Sequence, residues 1–249
     1  MKVPAKKKAG DFGAPHPTAG TMHPRDKLEF SRNAAAPTAS HDGLAPPAGL
    51  WIDGLAKTPL KPLPTDHHRK SALRREMRAL LRAMGTPLPD VAGVADEWLR
   101  GRPDFQHVAI FAALPGEPDL LPLPGILPGR IWCFPRVIDA DTLVFHAVRH
   151  IDELKPAAFG IREPAEDAPV VAIDAIDVFL CPGLAFDHDG GRLGRGRGYY
   201  DRVLAGARTG AMRVGVCFAN QLVASTFHES HDIAMDAVIC ENGVVTPAE

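Results

Sequence analysis

Leu73, Met77, Leu80, Leu81 and Met84 recur at helical spacing, Thr65 or Asp66 can cap the start and Gly85 stops the run, which predicts a helix over 66–84. A second helical segment is predicted over 90–99. Beyond residue 100 the pattern changes to short apolar runs cut off by turn formers. His107 to Leu114 reads as a strand ending in Pro115-Gly116-Glu117, Arg130 to Phe134 as one ending in Pro135-Arg136, and Thr142 to Val148 as a third. Between the first two, Asp119 to Leu127 has helical apolar content that Pro122 and Pro124 break into a short, irregular crossover. Val178 to Cys181 is a buried-type strand stopped by Pro182, Tyr199 to Ala207 a helix, Arg213 to Phe218 a strand, and Val238 to Val245 one or two short strands. Such alternation predicts an α/β three-layer sandwich over 66–249, with a mainly parallel central sheet flanked by helices. Ligands of such sheets bind beyond the carboxyl ends of the strands.

Residues 1–65 differ in kind. They are rich in Pro, Ala, Gly and Thr, hold no sustained period, and predict a disordered extension that cannot bury enough surface to offset its ordering entropy. Leu50-Trp51-Ile52 is its one apolar cluster and Lys6-Lys7-Lys8 its one basic cluster, too small to argue for nucleic acid. The formal net charge of -2 gives no global attraction to nucleic acid or anionic membranes. Cys133, Cys181, Cys217 and Cys240 lie in apolar runs without a C-x-x-C pair and read as buried reduced thiols. With no apolar run long enough for a membrane span and no signal-peptide core, the expected compartment is the cytoplasm.

The stretch richest in candidate chemistry is PGLAFDHDGGRLGRGRGYYD, residues 182–201, predicted to leave a strand and enter a helix. Its glycines free the backbone to approach a ligand with amides pointing inward, and Arg192, Arg195 and Arg197 add fixed positive charge. It is neither a P-loop nor a dinucleotide fingerprint, since no G-K-[ST] follows and the spacing is G-x-G-x-G. On its own physics it suits phosphate, while a plain surface loop or a segment touching RNA backbone stays open. Lys70 and Arg74 lie one turn apart on the first predicted helix, and spacing alone leaves them as a solvated face.

PGLAFDHDGGRLGRGRGYYDR resembles the signature of the 5-formyltetrahydrofolate cyclo-ligase family, also called methenyltetrahydrofolate synthetases. KSALR at 70–74, the segment at Glu117, FPRV, GIREP and the closing NQLVASTFHESHDIAMDAVICENGV are similar to the family's other motifs, so the resemblance runs from about Asp66 to Val245. It implies ATP- and Mg²⁺-dependent conversion of 5-formyltetrahydrofolate, free or polyglutamylated, to 5,10-methenyltetrahydrofolate with release of ADP and phosphate; a monomer without nucleic-acid or membrane partners is expected. By the same resemblance Lys70, Arg74, Arg192, Gly194, Arg195, Gly196, Arg197, Gly198 and Tyr199 would bind ATP, with Arg195, Arg197 and Tyr200 as candidate catalytic groups. Asp201 and Asp236 would be the carboxylates near Mg²⁺. Glu117 is the candidate for the pterin, because a carboxylate accepts two parallel hydrogen bonds from an amino-pyrimidine edge, and Trp132, Phe134 and Tyr200 are candidates to line the folate pocket.

The chain also departs from the family pattern. Pro118-Asp119-Leu120 stands where a Thr is frequent, Thr226-Phe227-His228 where a Pro is usual, and Cys240 where Thr is common. His228 and His231 form H-x-x-H without further ligands, and no zinc is expected. The competing classes are a nucleotide-binding homologue of lost or altered activity and an RNA-contacting module.

Overall fold

The computed structural model describes residues 65–157 and 160–247. The predicted extension, with Lys6 to Lys8 and Leu50 to Ile52, lies outside the described residues but for Thr65. Pro59–Glu249 forms one unit.

Helix α1 spans Asp66–Ala83 and α2 Ala92–Arg100; Thr65 caps α1 by accepting the His68 amide at 3.4 Å. Strand β1 (His107–Ala109) is followed by the short α3 (Leu123–Ile126), β2 (Ile131–Val137) and β3 (Leu143–Val148). Two-residue strands β4 (Lys155–Pro156), β5 (Arg162–Glu163) and β6 (Val170–Val171) lead to β7 (Val178–Pro182). A hairpin of β8 (Ala185–Asp187) and β9 (Arg192–Leu193) precedes α4 (Tyr199–Ala205), β10 (Met212–Val216), β11 (Leu222–Val223), β12 (Ala237–Cys240) and β13 (Gly243–Val245).

Eight strands form the main sheet in the order β13-β12-β10-β7-β1-β2-β3-β6. The five from β12 to β2 are mutually parallel, and antiparallel strands close both margins. The parallel strands are continuous apolar runs because helices cover both of their faces. On one face α1 and α2 bury Met77, Leu81, Ala95 and Leu99 against Val108, Ile110, Leu180, Val214 and Ile239. On the other, Leu204 of α4 and Phe186 of the hairpin pack on Ala109, Phe179, Cys181 and Val238. The predicted sandwich is thus present, with few helices.

Individual elements depart from expectation where side chains outside the run decide the matter. β1 stops at Ala109, and Ile110 to Leu114 continue as irregular chain, buried as far as Ala112, toward Gly116, which takes a φ of 84°. β2 runs through Pro135 to Val137, since it pairs with β3 from Trp132 to Val137. The β8–β9 hairpin was not foreseen: its strands, of three and two residues, are too short to carry a period. Its tip is held by the buried Asp187, whose Oδ1 accepts the Asp189 and Gly191 amides and whose Oδ2 accepts the Thr226 amide and hydroxyl at 2.8 Å. Burial raises the Asp187 pKa, but those Thr226 and glycine hydrogen bonds outweigh it and leave the carboxyl below its usual value. The FPRV and GIREP segments meet, Arg136 Nη1 donating to the Pro164 carbonyl at 2.9 Å and the Val137 amide to Glu163 Oε1 at 3.3 Å.

The hairpin is seated on the sheet by a glycine. A Cβ at Gly215 would lie 2.4 Å from Cε1 of Phe186. Gly215→Ala should therefore cost about 1–3 kcal/mol by overpacking and lower the thermal midpoint by several degrees, while Phe186→Leu should relieve part of that loss in the double variant. Strict additivity of the two changes in a thermal-melt cycle would show that the ring does not sit on Gly215.

Candidate functional site

Lys70, Arg74 and Arg78 lie four residues apart on α1 and so share one face. All three reach across to the last third of the chain. The Lys70 ammonium, in a side chain only 7% exposed, donates to Glu229 Oε2 at 2.7 Å and Asp232 Oδ2 at 2.6 Å. Arg74 Nε donates to the Gly194 carbonyl at 3.1 Å and Arg78 Nη2 to the Arg195 carbonyl at 3.0 Å. The helix thereby holds two consecutive peptide groups of the glycine–arginine loop.

That loop leaves the carboxyl end of β7 through the hairpin. Arg192 is buried beneath it, donating to Asp201 Oδ1 at 2.7 Å and to the Pro182 carbonyl at 3.3 Å, with its guanidinium 5.5 Å from the Tyr200 ring centre. Gly198 precedes α4 with a φ of 69°, a left-handed conformation that glycine adopts without strain. Arg195, Gly196 and Arg197 are exposed. Arg195 turns to Glu117, placing Nε at 3.0 Å and Nη2 at 2.5 Å from Oε1, while Glu117 Oε2 accepts the Leu114 amide at 2.9 Å. Tyr199 donates to the Asp139 carbonyl at 2.9 Å. Tyr200 is half-buried as a residue, yet its hydroxyl is fully covered and without a partner, and burial pushes the phenol pKa well above its usual value.

Lys70, Arg74, Glu117 and the 192–201 loop are therefore brought together at the carboxyl edge of the parallel strands. Three other expected residues are not. Trp132 and Phe134 are 3% and 0% exposed and belong to the core on the α1–α2 side, Trp132 donating its indole N–H to the Leu127 carbonyl at 3.3 Å. They pack the sheet and do not face an open pocket. Asp236 precedes β12, at the amino ends of the parallel strands, and its Oδ2 accepts the Arg213 amide at 2.7 Å. It is thus engaged at the opposite edge from Asp201, which is paired with Arg192.

Sequence reasoning missed Glu229, Asp232 and Arg78. Donor atoms of Glu229, His231 and Asp232 lie within 4.8 Å of one another, so the carboxylates that cluster near α1 are those of the HESHD segment. Their E-x-x-D spacing was the available signal, but only the fold puts it opposite Lys70. Hydrogen bonding to Lys70 holds Glu229 below the usual carboxylate range. Burial works the other way on Asp232, yet the Lys70 hydrogen bond and the Glu229 amide prevail and lower its pKa too. For Lys70, burial lowers the pKa but the hydrogen bonds to Asp232 and Glu229 outweigh it, so the ammonium ends above its ordinary value.

Together these features define an α/β domain that holds a basic, glycine-rich loop over the carboxyl edge of its sheet, an anion-binding arrangement. The model of the 5-formyltetrahydrofolate cyclo-ligase family matches residues 120–241. A 5-formyltetrahydrofolate cyclo-ligase of Mycolicibacterium smegmatis is 42% identical over 94 residues, covering 37% of this chain and 48% of that protein. One from Escherichia coli is 34% identical over 143 residues, covering 55% and 79%. The alignments span about half the length of the first curated relatives, 48% and 53%. Among solved structures, the 5,10-methenyltetrahydrofolate synthetase of Aquifex aeolicus superposes with a TM-score of 0.62 at 30% identity, covering 72% of this chain and 93% of that one. That of Mycoplasma pneumoniae gives 0.57 at 21% identity, a likeness of fold. The chain belongs to the 5-formyltetrahydrofolate cyclo-ligase family.

The Lys70 ion pairs have a definite pH signature. Carboxylates whose folded pKa is depressed add stability that is present above their unfolded values, about 4, and is lost as pH falls through the folded values. The raised Lys70 adds stability below its unfolded value that is lost as pH rises through the folded one. Lys70→Met should cost on the order of 3 kcal/mol at neutral pH, since it leaves Asp232 without its counter-ion. The gap between variant and wild type in urea midpoint should narrow below about pH 4. A gap independent of pH would contradict the assignment.

Proposed function

We propose that this protein converts 5-formyltetrahydrofolate to 5,10-methenyltetrahydrofolate, with ATP cleaved to ADP and phosphate. The observation that supports this reading is the meeting of Glu117, from the irregular chain after β1, with Arg195 of the loop, while Arg74 and Arg78 of α1 hold that loop in place. One carboxylate suited to a pterin edge and a set of cations suited to a triphosphate share one edge of the sheet.

The formamide oxygen of the substrate is a weak nucleophile and a poor leaving group. Its attack on the γ-phosphorus releases ADP; N10 then closes on the formyl carbon as the C–O bond breaks, phosphate departs and the N10 proton passes to phosphate or solvent. Such transfers depend chiefly on alignment and on neutralising charge at the transferred group. In this reading Arg74 and Arg197 face the triphosphate, Arg195 reaches the transferred group, and Lys70, paired with Glu229 and Asp232, fixes the start of the α1 face that carries Arg74. Arg192 is buried and paired with Asp201, so it supports the loop and the Tyr200 ring. Gly194, Gly196 and Gly198 let the backbone come close, and Tyr199 anchors the start of α4.

Mg²⁺ supplies charge neutralisation between phosphate oxygens when bound. The donors that would suit a hard cation are the oxygens of Glu229 and Asp232 that Lys70 does not take, together with the Asp201 oxygen that Arg192 leaves open. We assign Mg²⁺ to these in place of Asp236. Among the described residues no helix is long and apolar enough to cross a membrane. We further take the protein to act in the cytoplasm as a monomer, on free or polyglutamylated folate.

The test is to mix protein, 5-formyltetrahydrofolate, Mg²⁺ and ATP and to follow the absorbance of the methenyl product. An ATP-dependent signal is expected, and its absence would sink the enzyme reading in favour of a binding-only homologue. Arg74→Ala and Arg197→Ala should raise the apparent KM for ATP about 10-fold or more, the loss of a charged hydrogen bond, with a smaller change for folate. Equal losses for both substrates would count against the placement of the triphosphate.

A further inference from the structure

Glu117 and Arg195 are assigned above to different ligands, yet they are bound to each other in this structure. The contact is a converging one: both Nε and Nη2 of Arg195 donate to the single oxygen Oε1, at 3.0 and 2.5 Å, while Oε2 takes the Leu114 amide at 2.9 Å. Glu117 is 7% exposed. Two donors occupy Oε1, and an amino-pyrimidine edge needs one acceptor position on each oxygen. Arg195 therefore stands where the second of those hydrogen bonds must form.

The two partners differ in freedom. Glu117 is buried and fixed by the Leu114 amide, whereas the Arg195 side chain is 41% exposed. Its backbone is restrained separately, since Arg78 holds the Arg195 carbonyl at 3.0 Å and Arg74 holds the Gly194 carbonyl at 3.1 Å. The guanidinium can leave Glu117 by a side-chain rotation that keeps the loop in place. A multiply charged triphosphate offers it a stronger partner than one carboxylate does. Once Arg195 has gone, Glu117 is a buried carboxylate without a cation, an unfavourable state that a cationic or hydrogen-bond-donating ligand relieves.

We propose that the Glu117–Arg195 pair is a latch that couples the two substrates: the nucleotide draws Arg195 away, and the freed Glu117 then accepts the amino-pyrimidine edge of the pterin. The proposal rests on the ligand assignment made above. Coupling of this kind is reciprocal, so folate raises nucleotide affinity by the same factor as nucleotide raises folate affinity.

Calorimetric titration of the full chain with 5-formyltetrahydrofolate, with and without a non-hydrolysable ATP analogue and Mg²⁺, reads the latch directly. In wild type the analogue should tighten folate binding at least about 5-fold, the low end of typical allosteric coupling. Arg195→Gln should bind folate without nucleotide at least as tightly as wild type and should no longer respond to the analogue. Glu117→Gln should lose folate affinity about 10-fold while keeping its affinity for the analogue. The latch is overturned if the analogue leaves wild-type folate affinity unchanged, if Arg195→Gln still responds to it, or if Arg195→Gln binds folate more weakly than wild type. Unchanged folate binding by Glu117→Gln would instead overturn the pterin assignment itself, and so separates failure of that assignment from failure of the latch.

Discussion

The buried ammonium of Lys70, shared between Glu229 and Asp232, fixes how the first helix meets the end of the chain. A lysine this covered is tolerable only with its charge matched, and matching it with two carboxylates makes the position of α1 relative to residues 229–232 specific as well as stable. The rest of the site follows by helical geometry. Once Lys70 is placed, Arg74 and Arg78 are carried one and two turns further along the same face, to the carbonyls of Gly194 and Arg195. Leu81 then lies in contact with Gly116, whose φ of 84° favours glycine, beside the turn that presents Glu117. One helix thus touches the closing segment, the glycine–arginine loop and the turn before Glu117.

Several cations of the site are neutralised from within. Arg192 is paired with Asp201, Arg195 with Glu117 and Lys70 with Glu229 and Asp232, while Arg74 and Arg78 bind carbonyls. A cluster of bare guanidinium and ammonium groups would repel itself and destabilise the fold without ligand. Internal pairing removes that penalty and keeps each group near its working place. The exposed Arg195 has a pair that a ligand can exchange, whereas the buried Arg192 has one that holds the loop.

The sheet was legible in the sequence because its strands are buried on both faces, so that VFLC and AVIC are continuous apolar runs between turn formers. Helix α1 was legible for the complementary reason, a single apolar stripe bounded by a cap and a glycine. What was not legible depends on the third dimension. Apolar runs do not tell which aromatics face a ligand, and Trp132 and Phe134 prove to be core. Nor does spacing tell at which edge of a sheet a carboxylate stands: Asp236 and Asp232 are four residues apart, yet one caps the amino edge near Arg213 and the other meets Lys70. Lys70 and Arg74 could be named from the family resemblance, but Arg78, which spacing puts on the same face, lay outside the matched motif.

The hairpin explains why the loop and helix keep a fixed spacing. Asp187 ties its tip to Thr226, and the Met235 amide donates to the Gly190 carbonyl at 2.8 Å, so the hairpin is fastened at two points flanking Glu229 and Asp232. The segment from Thr226 to Met235 accordingly holds both the base of the loop, through the hairpin, and the start of α1, through Lys70. Cations on separate elements thereby share one anchor, and their arrangement is paid for during folding, before any substrate arrives. For a phosphoryl transfer, where the protein contributes alignment and charge and little covalent chemistry, that preorganisation is the main thing a fold can supply.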